Sequence, residues 1–126
     1  MVSDSFQDAE SRATEAILER FNQVFLMHDP TSLPDLVAAD CVIENTKPAP
    51  DGDRHEGKAA CIALWTHIAT MPGVHFEPEA IFARGDRGEI RWRLVWGPDP
   101  ANSVRGVNLM RVRDGRIVEA LGYVKS

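Results

Sequence analysis

The chain predicts an α+β fold: a curved, mostly antiparallel sheet wrapped in a cone around three helices from the N-terminal half. Three observations carry this. Residues 6–27 place Ala9, Ala13, Ala16, Ile17, Phe21, Val24 and Phe25 three or four apart, the stripe of an amphipathic helix. From residue 74 onward, apolar and polar residues alternate in four runs, the period of half-buried strands. Asp114-Gly115 stands between the last two runs, the dipeptide that closes a two-residue hairpin. Helices followed by an antiparallel meander is the α+β layout, and a sheet curved around the first helix would bury its stripe and leave a cavity.

Ser5 and Asp8 form a capping pair at the start of the first helix. His28-Asp29-Pro30 ends it, because a residue before proline disfavours the helical region. His28 is placed to cap that end, where a cation meets the helix dipole. Residues 31–38 predict one or two turns of a second helix, with Pro34 in its first turn. Residues 40–46 form a short β-branched run, hence a strand, and 47–57 a turn-rich loop. A third helix covers about 58–70, with Ala60, Cys61, Leu64, Ile68 and Met71 on one face and Pro72-Gly73 as its stop. Strands follow near 74–84, 87–97, 103–113 and 116–125.

The 126 residues make one domain, 1–126, large enough to hold a core without staples. No run approaches the roughly 20 apolar residues that span a bilayer, and the acidic start lacks the pattern of a signal peptide. The expectation is a cytoplasmic protein with no membrane partner. The net charge of -5 has the wrong sign for a general phosphate-backbone binder, so no nucleic acid is expected. Cys41 and Cys61 lie alone in apolar contexts and read as buried free thiols.

Strand 103–113 divides into two faces. Val104, Gly106, Asn108, Met110 and Val112 form one, and Arg105, Val107, Leu109, Arg111 and Arg113 the other. Asn108 is the polar group on the apolar face. It is either a satisfied core amide or a donor to a substrate oxygen. On the strand at 40–46, Cys41, Ile43 and Asn45 share the inner face. A one-residue slip would turn Glu44 inward instead, as a candidate base. His55, in the loop before the third helix, is the best-placed group for acid–base work near neutral pH. Trp92 and Trp96 alternate with Ile90 and Leu94 on one face, as core or as pocket lining.

Glu89, Arg91 and Arg93 lie opposite the tryptophans. With Glu77, Glu79 and Glu119 they predict a cross-strand ion ladder. Val107 and Leu109 among these charges predict a homodimer through the outer sheet face. His55-Glu56-Gly57-Lys58 lacks the second histidine of a helical zinc motif, and no phosphate loop or nucleophile elbow occurs. A pocket without metal or cofactor is the expectation.

The element order, the helix ending in His28-Asp29, the strand Val42-Ile-Glu-Asn45, Gly57 opening the third helix, and the closing Asp-Gly-Arg-Ile hairpin resemble the nuclear-transport-factor-2-like superfamily. Within it they resemble the SnoaL-like proteins, as does the ending Gly122-Tyr-Val-Lys. The resemblance covers nearly the whole chain and speaks for fold more than for reaction. Ketosteroid isomerases of this fold use a tyrosine and two aspartates. The resemblance sets those positions at Phe21, Asn45 and Asn108, where no side chain can repeat their roles. An aspartate of limonene-type epoxide hydrolases matches Gly122. SnoaL-type cyclases use a cavity histidine, and the closing strands here have none.

The resulting expectation is a cofactor-independent enzyme of isomerase, dehydratase, hydrolase or cyclase type. It would act on a small, largely apolar oxygenated molecule. His55 or Glu44 would move protons, and Asn45 and Asn108 would hold the oxygen. Phe21, Trp65, Trp92 and Met110 would line the pocket. The alternatives are a non-catalytic binding protein with the same pocket and a dimerising module whose pocket is filled by side chains.

Overall fold

The computed structural model describes residues 2–125, and side chains from Ala9 onward. Three helices, α1 (Val2–Leu26), α2 (Leu33–Leu36) and α3 (Lys58–Ala69), pack against six strands. The strands are β1 (Val37–Glu44), β2 (Arg54–Glu56), β3 (Val74–Arg84), β4 (Arg87–Trp96), β5 (Ser103–Arg113) and β6 (Arg116–Val124). Their order in the sheet is β2-β1-β6-β5-β4-β3, curled around the helices without closing. Every neighbouring pair is antiparallel except β1 and β6, which run parallel.

The hairpin between β5 and β6 turns on Asp114 (φ 53°) and Gly115 (φ 75°). Two successive positive φ values are what a type I′ turn requires, and its twist matches that of the strands it joins. In this register Asn108 pairs with Ile90 on β4 and Gly122 on β6. The inner face of the sheet therefore carries Ile90, Asn108 and Met110, and the outer face Arg91, Val107 and Leu109.

Helix α1 begins at Val2, earlier than residue 6, and the Ser5–Asp8 capping pair lies outside the described side chains. Its buried face is Thr14, Leu18, Phe21, Asn22, Val24 and Phe25. Ala9, Ala13 and Ala16, expected in the stripe, are exposed. Alanine favours helix on any face, so these residues support the helix without marking its core side. Toward its start α1 docks by hydrogen bonds: Thr14 Oγ1 donates to Gly85 O (2.6 Å), and Gly85 N donates to Ser11 Oγ (2.9 Å).

The end of α1 also differs from expectation. His28 adopts φ 54°, His28 N donates to Phe25 O, and Asp29 N donates to Val24 O at 2.9 Å. This is the double bond pattern of a Schellman ending. The His28 ring turns to the other helix: Nδ1 lies 2.9 Å from Ala69 O in the last turn of α3. His28 thus caps α3 by a hydrogen bond, not α1 by its charge.

Two further boundaries move. β1 starts at Val37 rather than 40 and ends at Glu44, which leaves Asn45 just beyond the strand. The stretch expected as loop contains β2, which pairs Arg54 with Glu44 and His55 with Ile43. On α3 the buried seam is Cys61, Trp65 and Ala69, spaced four apart, rather than the broader face through Leu64 and Met71. These residues join Leu18, Phe21, Ile43, Ile90 and Met110 in one core.

Candidate functional site

Between the inner face of the sheet and helices α1 and α3 lies a cavity of about 520 Å³. Phe21, Asn22 and Phe25 come from α1, Trp65 and Ile68 from α3, and Phe76 from β3. Ile90, Trp92, Leu94 and Trp96 line it from β4, and Val104 and Asn108 from β5. Strand alternation supplies the β4 set, since every second residue faces inward. The aromatic rings meet edge to face in a continuous chain. Trp65 meets Phe21 at 4.7 Å between centroids, Phe21 meets Phe25 at 5.0 Å, Phe25 meets Phe76 at 5.7 Å, and Phe76 meets Trp92 at 5.5 Å. Such pairs favour this geometry and hold one another in place.

Polar groups interrupt the apolar wall. Trp92 Nε1 donates to Asn108 Oδ1 at 3.3 Å. The contact depends on Gly106, the partner of Trp92 across β4 and β5. A Cβ at 106 would overlap the Trp92 indole and the Tyr123 carbonyl oxygen, so the ring lies over bare backbone. One residue beyond the Glu44–Leu121 pair, Asn45 comes level with Gly122, the partner of Asn108. Asn45 Oδ1 accepts from Thr46 N at 2.9 Å.

Asn22 is a third cavity amide, and the sequence reading missed it. It is 8% exposed and lines the cavity between Phe21 and Phe25, with no hydrogen-bond partner among the described residues. The signal was present: an amide four residues after Leu18 and three before Phe25 lies inside the apolar stripe.

The register also settles the two faces at the end of β1. Ile43 aligns with Ala120 and Met110 on the inner face, and Glu44 aligns with Leu121 and Leu109 on the outer face. Glu44 touches the cavity lip, but its carboxylate meets Arg54 Nη1 at 3.4 Å. Arg54 is also held by Glu56, at 2.6 Å.

His55 is not among the residues lining the cavity. It sits opposite Ile43 on the edge strand β2, where its Nε2 is sealed from solvent with no hydrogen-bond partner among the described residues. Its carbonyl accepts from Cys61 Sγ at 3.6 Å, and Cys61 Sγ also reaches Cys41 O at 3.4 Å. Both cysteines are free thiols, and burial pushes each above the ordinary thiol range, against the thiolate that reacts.

Met110 belongs to the core rather than to the cavity wall. It pairs with Gly88, where Leu18 packs down from α1, and both Leu18 and Met110 belong to the core. Phe21, Trp65, Trp92, Asn45 and Asn108 therefore come together at one cavity, with Glu44 at its lip, while His55 and Met110 lie outside it. Among the described residues no group of three or more His, Cys, Asp or Glu side chains is placed to hold a metal ion. No helix among them is long and apolar enough to cross a membrane.

Comparison with known proteins adds the family. Residues 18–120 match the model of the SnoaL-like domain. A solved nuclear-transport-factor-2-like protein of unknown function from Mesorhizobium loti is 60% identical, covering 93% of this chain and 94% of that one, with a TM-score of 0.88. A candidate ketosteroid isomerase from Kribbella flavida is 17% identical over 93% of this chain and 81% of its own, with a TM-score of 0.78. A candidate polyketide cyclase from Sinorhizobium meliloti is 23% identical over 85% of this chain and 93% of its own, with a TM-score of 0.68. These last two show the shared fold alone. Among curated proteins, none matches the chain.

Proposed function

The chain belongs to the SnoaL-like domain family, and from that premise we propose that it binds a small, largely apolar oxygenated molecule in the cavity. The observation that carries this reading is an aromatic chamber of about 520 Å³ whose buried and half-buried polar groups are neutral, chiefly amides, with the exposed Lys47 and Lys125 and the Arg54-paired Glu44 as the charged members of its lining. Apolar walls supply the affinity, and a few convergent polar groups fix orientation. Away from the exposed Lys47 and Lys125, an ion would lose its hydration against the aromatic wall without a compensating charge, so the ligand is neutral where it meets Asn22 and Asn108. Both groups expected to move protons lie off the cavity interior: His55 Nε2 is sealed, and the Glu44 carboxylate faces Arg54. Binding without proton transfer is therefore the first reading.

Calorimetry with acetylnaphthalene and with ethylnaphthalene, its hydrocarbon counterpart, tests this. The ketone should bind more tightly, and Asn108→Leu should remove that advantage while the protein stays folded. Failure of both probes to bind would refute the reading.

A second reading is cofactor-independent catalysis, favoured by the place of Glu44 at the cavity lip. A rotated Glu44 would take a proton from the carbon beside a ligand carbonyl, and the Asn108 amide would stabilise the enolate oxygen. In D2O such an enzyme would place deuterium in the methyl group of acetylnaphthalene, and Glu44→Gln would stop it. Wild-type exchange at the buffer rate leaves binding alone.

The outer sheet face supports a homodimer in the same proposal. Phe82 (62% exposed), Leu109 (40%) and Tyr123 (53%) stand among arginines and glutamates there. A second copy covering that face would bury them. The free thiols suit a reducing compartment, so the cytoplasm is the proposed setting.

A further inference from the structure

We propose that Trp92 sets the polarity of the cavity, so that the ligand meets it with hydrogen-bond acceptors, as a ketone, ester or quinone does, rather than with hydroxyl groups. The proposal deepens the binding reading above and rests on it.

The argument begins with what an indole can do. Its N–H donates and never accepts. An amide beside it must therefore turn its oxygen toward the ring. Asn108 does so, with Oδ1 3.3 Å from Trp92 Nε1. The Nδ2 hydrogens are then directed away, and no described residue accepts from them. Nor is Nδ2 sealed: the one buried, unpartnered side-chain N or O atom among the described residues is His55 Nε2. The Asn108 amide N–H groups therefore open on the cavity that the residue lines.

Asn45 repeats the logic with a different partner. A backbone N–H also donates only, and Thr46 N reaches Asn45 Oδ1 at 2.9 Å. Its Nδ2 has no acceptor among the described residues, and Asn45 lines the cavity with Asn108. Two amides, each with its oxygen claimed by a donor, present N–H groups across the Gly122 position. Asn22, without a hydrogen-bond partner among the described residues, can turn either end to a ligand and so imposes no preference. The bias comes from Asn45 and Asn108, and its long-range part comes from Trp92.

Gly106 is part of the device. Its missing side chain lets the indole lie flat enough over β5 to reach Asn108, two residues along the same face. Trp92 is a positioning residue in this account. It acts through Asn108, while its ring adds apolar wall.

A matched pair of probes tests the proposal. Acetylnaphthalene and naphthylethanol share one apolar body and differ in presenting a carbonyl or a hydroxyl. Calorimetry on the wild-type protein should show the ketone binding roughly tenfold more tightly. A hydroxyl loses less than a full hydrogen bond here, because its oxygen can still accept. Trp92→Phe keeps a ring on the wall and removes the N–H, which frees Asn108 to turn over. The ketone-to-alcohol ratio should fall to about one, with both probes still bound. Asn108→Leu should give the same loss of preference, which covers the case in which Trp92→Phe does not fold. Equal binding of the two probes by the wild-type protein, or an unchanged ratio in a folded Trp92→Phe, overturns the role of Trp92 but leaves the binding reading standing. Failure of the wild-type protein to bind either probe overturns both.

Discussion

The two faces of the sheet are built from alternate residues of the same strands, yet they carry opposite chemistry. On β5 the inner side presents Val104, Asn108 and Met110, all neutral, and the outer side presents Arg105, Leu109 and Arg111. The inner face is closed over by α1 and α3 and keeps an aromatic chamber. The outer face is open and carries ion pairs such as Arg105 Nη2 to Glu79 Oε1 at 3.0 Å. The difference teaches where each kind of energy resides. Apolar area removed from water and tight ring contacts give the inner face its stability. Exposed charges in water give the outer face little stability and supply specificity for what approaches.

Substitutions that break the comparison should rank accordingly. The largest effect belongs to Trp65→Ala, which empties a ring contact with Phe21 inside the core. A loss of about 3–5 kcal/mol is expected, read as a drop in the urea midpoint. Gly106→Ala comes next, because the new methyl group meets the Trp92 ring and the backbone of β6. It should lose about 1–3 kcal/mol and disturb the Trp92–Asn108 contact. Asn108→Leu should leave the midpoint nearly unchanged and weaken binding of acetylnaphthalene about tenfold or more.

On the outer face, Leu109→Glu should remove only the concentration-dependent part of the unfolding midpoint, the part that association supplies. Light scattering should show a wild-type dimer become a monomer, which sharpens the contrast between stability and association. A wild-type monomer at micromolar concentration would remove the dimer from the proposal.

The smallest effect is the acid sensitivity of the outer ion pairs. Hydrogen bonds from Arg113 hold the Asp40 carboxyl below its usual range, and Arg105 does the same for Glu79. A carboxyl lowered in the folded state contributes stability above its unfolded value and loses it as pH falls through the folded value. The melting temperature of wild type minus that of Arg113→Ala should therefore be positive at neutral pH and vanish in strong acid. Both pairs are open to solvent, so the difference should also shrink in high salt.

Much of the fold was legible in the sequence because its strongest signals are local. Asp114-Gly115 marks a type I′ turn, and the alternation through Ile90, Trp92, Leu94 and Trp96 puts all four on the cavity side. Asn108 could be placed on the inner face for the same reason. What escaped is non-local or ambiguous in period. The alanines of α1 count as apolar in a stripe but serve the helix anywhere. β2 is three residues long and exists through its pairing with β1. His55 looked well placed beside α3, but pairing with Ile43 at the sheet edge seals its Nε2 and keeps it off the cavity. The bond between Trp92 and Asn108 joins residues sixteen apart through a gap left by Gly106, and no pattern in either strand announces it.

The central claim is that the neutral inner face, and not the ionic outer one, receives the ligand. Nitrogen-edited NMR of the wild-type protein titrated with acetylnaphthalene tests it most directly, because all three tryptophans line the cavity. The account predicts saturable shifts of the three indole N–H signals and of the Asn108 side-chain amide, with the backbone signals of Phe82, Glu89 and Leu109 left in place. Saturable shifts confined to those outer-face signals, with the indoles unmoved, would contradict it.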